Sequence, residues 1–125
     1  MRLFRFDAGA GLPIDRFESR GVKLARGVRN EGATRVGWMH FERGGVLGDH
    51  PAVGDQLFCV VVGEGWVRGA DRVRVPVRAG TAAFFPDGEL HESGSDTGMT
   101  AVLVESAAID PARYMKPLDA DGRRP

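Results

Sequence analysis

Apolar residues fall in short runs along this chain, separated by polar stretches that carry glycine. The runs Leu3–Phe6, Val22–Val28, Arg35–Phe41, Leu57–Val62, Trp66–Gly69, Arg72–Val77, Ala82–Phe85 and Thr100–Glu105 are rich in Val, Phe and Trp. These residue types suit a pleated, half-buried surface, so each run reads as a strand. Arg72 to Val77 alternates polar and apolar, as a strand with one wet face does, and Pro76 restricts it to an edge or a bulge. With Trp66–Gly69 it forms a hairpin turning at Gly69-Ala70-Asp71. Leu57 to Val62 is apolar at every position. Counting by two from Gln56 puts Phe58, Val60 and Val62 on one face, read as a pocket floor. Leu57, Cys59 and Val61 then need cover on the other, from the N-terminal segment or from a second subunit. Asp110-Pro111-Ala112-Arg113-Tyr114-Met115 is the one helix signal, with Asp110 as N-cap and Pro111 at the first helical position. Asp119–Pro125 reads as a frayed polar tail. Many short strands and almost no helix indicate an all-β sandwich or small barrel.

A length of 125 residues suits one domain spanning 1–125 and is enough to bury a core without disulfides or structural metal. Seventeen basic residues balance seventeen acidic ones, which argues against a nucleic-acid binder. The longest apolar run, Leu57 to Val62, is far short of a membrane span, and charges interrupt the first residues, so the expected location is the cytoplasm. A lone cysteine, Cys59, excludes an intrachain disulfide and a Cys-based zinc cage. It lies mid-strand among valines, where a thiol behaves as a small hydrophobe.

The histidines change the picture. Gly44 is followed after five residues by His50, then Ala52, then Gln56 after three more, then Gly63 after six. Further on, Gly80 is followed after five residues by Pro86, then Gly88, His91 and Ser95. These two segments resemble the cupin motifs G-x5-H-x-H-x3,4-E-x6-G and G-x5-P-x-G-x2-H-x3-N, at 44–63 and 80–95. The resemblance implies a double-stranded β-helix, or jelly-roll barrel, carrying the short C-terminal helix as an addition. It also implies a homodimer formed by sheet packing and a small-molecule ligand in the barrel cavity. Cupin metal sites usually use three His and one Glu. Here Ala52 stands at the second His position and Gln56 at the Glu position.

Two chemistries fit what remains. In one, His50, His91 and Gln56 hold a divalent Zn, Ni, Cu or Fe, and Ala52 leaves a coordination position open to substrate. In the other, no metal binds, and His50 or His91 serves an isomerase or epimerase as general base, or the pocket binds a ligand without catalysis. A vestigial cavity would instead be packed shut by aromatics, with the two histidines apart. Phe58, Val60, Trp66, Phe85 and His40 complete the expected pocket. Asp49 and Glu92, each beside a site histidine, point to the opposite face unless a bulge turns them inward.

Overall fold

The structure is a computed structural model describing residues 1–21 and 23–124. Its strands are β1 (Arg2–Arg5), β2 (Leu12–Pro13), β3 (Lys23–Leu24), β4 (Thr34–Phe41), β5 (Gly45–Pro51), β6 (Asp55–Arg68), β7 (Arg74–Arg78), β8 (Thr81–Phe85), β9 (Leu90–Ser95), β10 (Met99–Ser106) and β11 (Lys116–Pro117). The two runs expected as Leu57–Val62 and Trp66–Gly69 are one continuous strand, β6, and β6 is the hub. Its first half lies between β8 and β10, and its second half between β7 and β9. Two antiparallel layers result, β11-β1-β8-β6-β10-β4 and β7-β6-β9-β5, in the jelly-roll manner of a double-stranded β-helix. The short pair β2–β3 stands apart.

The main core fills the space between the layers, with Leu3, Phe58, Val60, Val67, Val75, Val77, Ala83, Phe85 and Ala101 buried there. A second cluster lies on the other face of β6 and β8. Leu57, Ala82 and Phe84 pack there with Phe4, Ile109 and Met115, and Phe6, Val28 and Cys59 close in around them. Segments of this same chain therefore supply the cover that Leu57 and Cys59 required. Pro76 sits on β7, which pairs with β6 alone, so it costs no ladder bond on its free side.

Two bulges set which side chains face inward. β6 carries one extra residue, because Ala101 pairs with Val60 while Thr100 pairs with Val62. The alternation reverses there: Gln56, Phe58 and Val60 face in before it, and Val67 after it, while Val62 is 62% exposed. Val62 is thus on the outside, not on the pocket floor. Gly63, just past the bulge, has a φ of +80°, and a Cβ there would lie 2.3 Å from the Gly98 carbonyl oxygen, so only glycine fits. β5 bulges between Leu47 and His50, which puts these two residues, three apart in sequence, on the same face.

The motif loops are stitched to each other. Asp87 N–H donates to Asp55 Oδ1, and Gly54 N–H donates to Asp87 Oδ1, both at 2.9 Å. Asp55 Oδ2 also accepts from Ile109 N–H at 2.9 Å. Main-chain bonds from Ala52 N–H to Glu89 O (3.0 Å) and from Gly88 N–H to Ala52 O (2.8 Å) complete the seam. Gly88, with φ of +84°, occupies the third position of the turn closed by Glu89 N–H to Pro86 O, where a type II turn needs positive φ.

Three sequence expectations are corrected. Asp110–Met115 is not an α-helix but a single 3-10 turn at Pro111–Arg113, and the Asp110 side chain makes no capping bond. Ile109 and Met115, six residues apart, are both buried in the second cluster, a spacing that an α-helix cannot put on one face. The strand over Val22–Val28 is reduced to Lys23–Leu24, and Val22 lies outside the described residues. The tail is a closed loop through Gly122, with Asp119 Oδ1 accepting from Asp121 and Arg123 N–H; Pro125 lies outside the described residues. No helix is long and apolar enough to cross a membrane among the described residues.

Two measurements check this account. Asp55→Ala removes the acceptor of two backbone N–H groups, so it should cost about 2–3 kcal/mol and lower Tm by roughly 10 °C in a thermal melt. Burial pushes the Cys59 thiol up to about 12. An aromatic disulfide reagent at pH 8 should therefore leave Cys59 unmodified in the native protein and titrate it fully in denaturant.

Candidate functional site

His50 on β5 and His91 on β9 are direct cross-strand partners. Their ring centroids are 4.4 Å apart. Gln56, at the start of β6, lines the same cavity of about 410 Å3, together with Phe58, Leu47, Met39, Val53 and Leu103. The three polar groups singled out by motif spacing therefore line one open cavity, with the two histidines adjacent.

Both imidazoles are oriented by main-chain carbonyls. His50 Nδ1 lies 2.7 Å from Gly48 O, and His91 Nδ1 lies 2.9 Å from Glu89 O. A carbonyl oxygen only accepts, so Nδ1 carries a proton on each ring, and in the neutral ring Nε2 keeps its lone pair. The β5 bulge brings the Gly48 carbonyl to His50, and the Pro86–Glu89 turn brings the Glu89 carbonyl to His91. Phe85 stacks on His91 at 4.2 Å with an interplanar angle of 17° and fixes the ring plane. Burial lowers the His91 pKa from its ordinary value; the Glu89 carbonyl opposes this and neighbouring His50 adds to it. His91 is thus a neutral nitrogen donor near neutral pH.

Two imidazoles with ring centroids 4.4 Å apart stand close enough to share one divalent transition-metal ion. Gln56 is buried and can add a neutral oxygen. No cluster of three or more His, Cys, Asp or Glu suited to a metal exists among the described residues. The fit is to two imidazole nitrogens and one amide oxygen, a neutral set that favours Zn, Ni, Cu or Fe over Mg or Ca.

The remaining expected pocket residues separate. Phe58 lines the cavity, and Phe85 backs it through His91. Val60 is fully buried in the core and is not part of the cavity wall. Ala52 is also buried in the core, and its neighbours Pro51 and Val53 form the wall instead. Trp66 lies beyond the β6 bulge, on the outer face, against the Arg74 guanidinium at 3.8 Å. His40 is exposed on the outer face of β4, with Nδ1 3.1 Å from Thr100 Oγ1. The alternation that turns Arg35 and Met39 inward turns His40 outward.

Asp49 sits within the β5 bulge, yet it faces out to Arg72 and Arg68. The Arg72 hydrogen bond holds its carboxyl below the usual carboxylate range. Glu92 pairs with Arg68. Both are rim charges.

Two charged cavity residues had no signal in the motifs. Arg35 on β4 and Glu105 on β10 line the cavity and pair with each other at 2.9 Å. Glu105 is the register partner of both Gln56 and Arg35. Only the strand register reveals this row, since each residue alone reads as a solvated strand position.

No protein-family model and no curated protein matches the chain. Solved structures do. A cupin superfamily protein from Desulfitobacterium hafniense matches with a TM-score of 0.57 and 15% identity, over 78% of this chain and 96% of that one. An RmlC-like cupin from Shewanella frigidimarina matches at 0.56 and 25% identity, over 60% of this chain and 67% of that one. A protein from Thermotoga maritima described as a predicted oxalate decarboxylase matches at 0.51 and 25% identity, over 55% of this chain and 62% of that one. With the jelly-roll barrel, both motif frames in register and two motif histidines meeting in its cavity, this chain has the fold of the small cupin proteins.

Proposed function

We propose that this protein binds one divalent transition metal through Nε2 of His50, Nε2 of His91 and the Gln56 carboxamide oxygen, and that it holds a small metabolite in the adjoining cavity. The observation that carries this reading is the pair of Nδ1–H bonds to Gly48 O and Glu89 O, which leaves two free Nε2 atoms on neighbouring strands. Main-chain acceptors of this kind fix the tautomer and ring angle of ligating histidines. A bound metal supplies Lewis acidity toward an oxygen of the ligand. The protein supplies the apolar walls Met39, Leu47, Phe58 and Leu103, which exclude water, and a neutral first set of donors that leaves the metal charge for an anion to offset.

A second reading has its own support. His91 is buried, neutral and stacked on Phe85, a fit to a metal-free general base, and the chain has one carboxamide where the cupin motif has a carboxylate. Elemental analysis separates the two. Wild-type protein loaded with zinc and desalted should retain about one metal per chain, and His50→Ala and His91→Ala should each lose it. A wild type that stays empty after exposure to zinc, nickel and copper refutes the metal reading in favour of the free base.

We also propose a homodimer through the outer face of β4. Among the described residues this strand pairs only with β10, leaving an eight-residue edge, and it presents Trp38 at 68% exposure and Val36 at 54%. A long edge with an uncovered indole is a pairing surface, not a solvent surface. Light scattering should give twice the chain mass for the wild type and the chain mass for Trp38→Glu. A monomeric wild type at tens of micromolar rejects the dimer.

A further inference from the structure

Arg35, Glu105 and Gln56 form one row across three strands, β4, β10 and β6, by direct register pairing. All three line the cavity that holds His50 and His91. Among the cavity's described wall residues, Arg35 is the one arginine and Glu105 the one carboxylate. Arg35, Val53 and Glu105 also line a second hollow of about 340 Å3, bounded by Ala33, Thr34, Gly54, Ser106 and Ala107. The ion pair thus stands where the two hollows meet, at the side of the cavity away from the barrel core.

The pair is asymmetric. The Glu105 side chain is 20% exposed, whereas that of Arg35 is 76% exposed and touches Glu105 through Nη2. A guanidinium has five N–H donors in a planar fork, and this contact uses one. An exposed pair of this kind contributes on the order of 0–1 kcal/mol, so exchanging it or sharing it with a ligand oxygen costs little. The guanidinium keeps further N–H donors beyond this contact, and its planar fork matches a carboxylate in a bidentate pair. The other walls near it, Met39, Leu47, Phe58 and Leu103, offer no competing charge and suit a hydrocarbon body.

Extending the ligand reading above, we propose that the cavity takes a small monocarboxylic acid with an apolar body. Arg35 receives its carboxylate and selects for it, and Glu105 is the positioning residue that keeps the guanidinium over the cavity. The two ends of the ligand are then distinguished: the anionic end lies against Arg35, and the far end lies toward His50 and His91.

Two acid–amide pairs of nearly equal shape test this by calorimetry: benzoate with benzamide, and hexanoate with hexanamide. Each is titrated into zinc-loaded protein and into protein stripped with chelator. The wild type should bind at least one acid about tenfold or more tighter than its amide in both preparations, the discrimination expected of one charge-assisted pair. Arg35→Gln should abolish that preference while leaving Tm and zinc content unchanged, since the side chain is exposed and is not a metal donor. Arg35→Lys, which keeps the charge and loses the fork, should fall between. Equal binding of acid and amide, no binding of any acid, or an acid preference that survives Arg35→Gln overturns the assignment. An acid preference confined to zinc-loaded protein and indifferent to Arg35 overturns it while sparing the metal reading. A protein that binds no zinc yet shows an Arg35-dependent preference sustains the assignment and removes the metal.

Discussion

Two aspartates hold the site together from below. Asp55 opens β6 and Asp87 lies in the turn before β9, and they trade main-chain hydrogen bonds across the gap between the motif loops. Every polar group of the centre hangs from one side of that seam or the other. His50 leaves it at the end of β5, Gln56 follows Asp55 directly, and His91 lies four residues past Asp87. A carboxylate accepting from backbone N–H is among the stronger hydrogen bonds available at a protein surface, because one partner is charged. The second Asp55 oxygen ties the same seam to Ile109 and so to the outer cluster. The centre is therefore braced to both cores, although the loops that form it are mostly exposed.

The chemistry of the centre follows from neutral donors. Burial favours His91 as an uncharged imidazole, and the Glu89 carbonyl holds its proton on Nδ1, which leaves the lone pair on Nε2. His50 presents the same atom from the neighbouring strand, and Gln56 adds an amide where a carboxylate would have added charge. Glu105 lines the same cavity but is engaged by Arg35, and the His50 and His91 rings do not share a metal-sized cluster with it among the described residues. A cavity with neutral donors at one end and an exposed guanidinium at the other is polarised along its length, and this polarity suits a ligand with one anionic end.

Much of this was legible in the chain. Glycine and proline at fixed intervals marked the turns, because turns with positive φ and sharp entries into strands admit few residue types, and with the histidines they carried the resemblance that implied the barrel and singled out His50, Gln56 and His91. Alternation named the hairpin, and Pro76 restricted its second strand to an edge or a bulge, the edge being what the fold shows. The errors share one cause. Counting by two assigned Val62 to the inside, and one extra residue in β6 moved it outside, while Trp66, expected in the pocket, lies beyond that bulge on the outer face. His40 reads as a site residue until its strand phase is tied to Arg35 and Met39. The Asp110 helix had a cap and a proline, but two buried side chains six positions apart outweighed local preference over so short a segment.

Sequence alone determined the all-β class and the spacing of the turns, since these depend on backbone conformations that few residues adopt, and the resemblance of its two motifs singled out His50, Gln56 and His91. Tertiary structure alone decided which nitrogen of each ring is free, because that depends on a carbonyl brought near by a bulge or a turn. It also decided that Arg35 and Glu105 belong to the cavity. Strand register carries that information: residues 70 positions apart become neighbours only when β4 and β10 pair, and no local pattern in either strand encodes the partner.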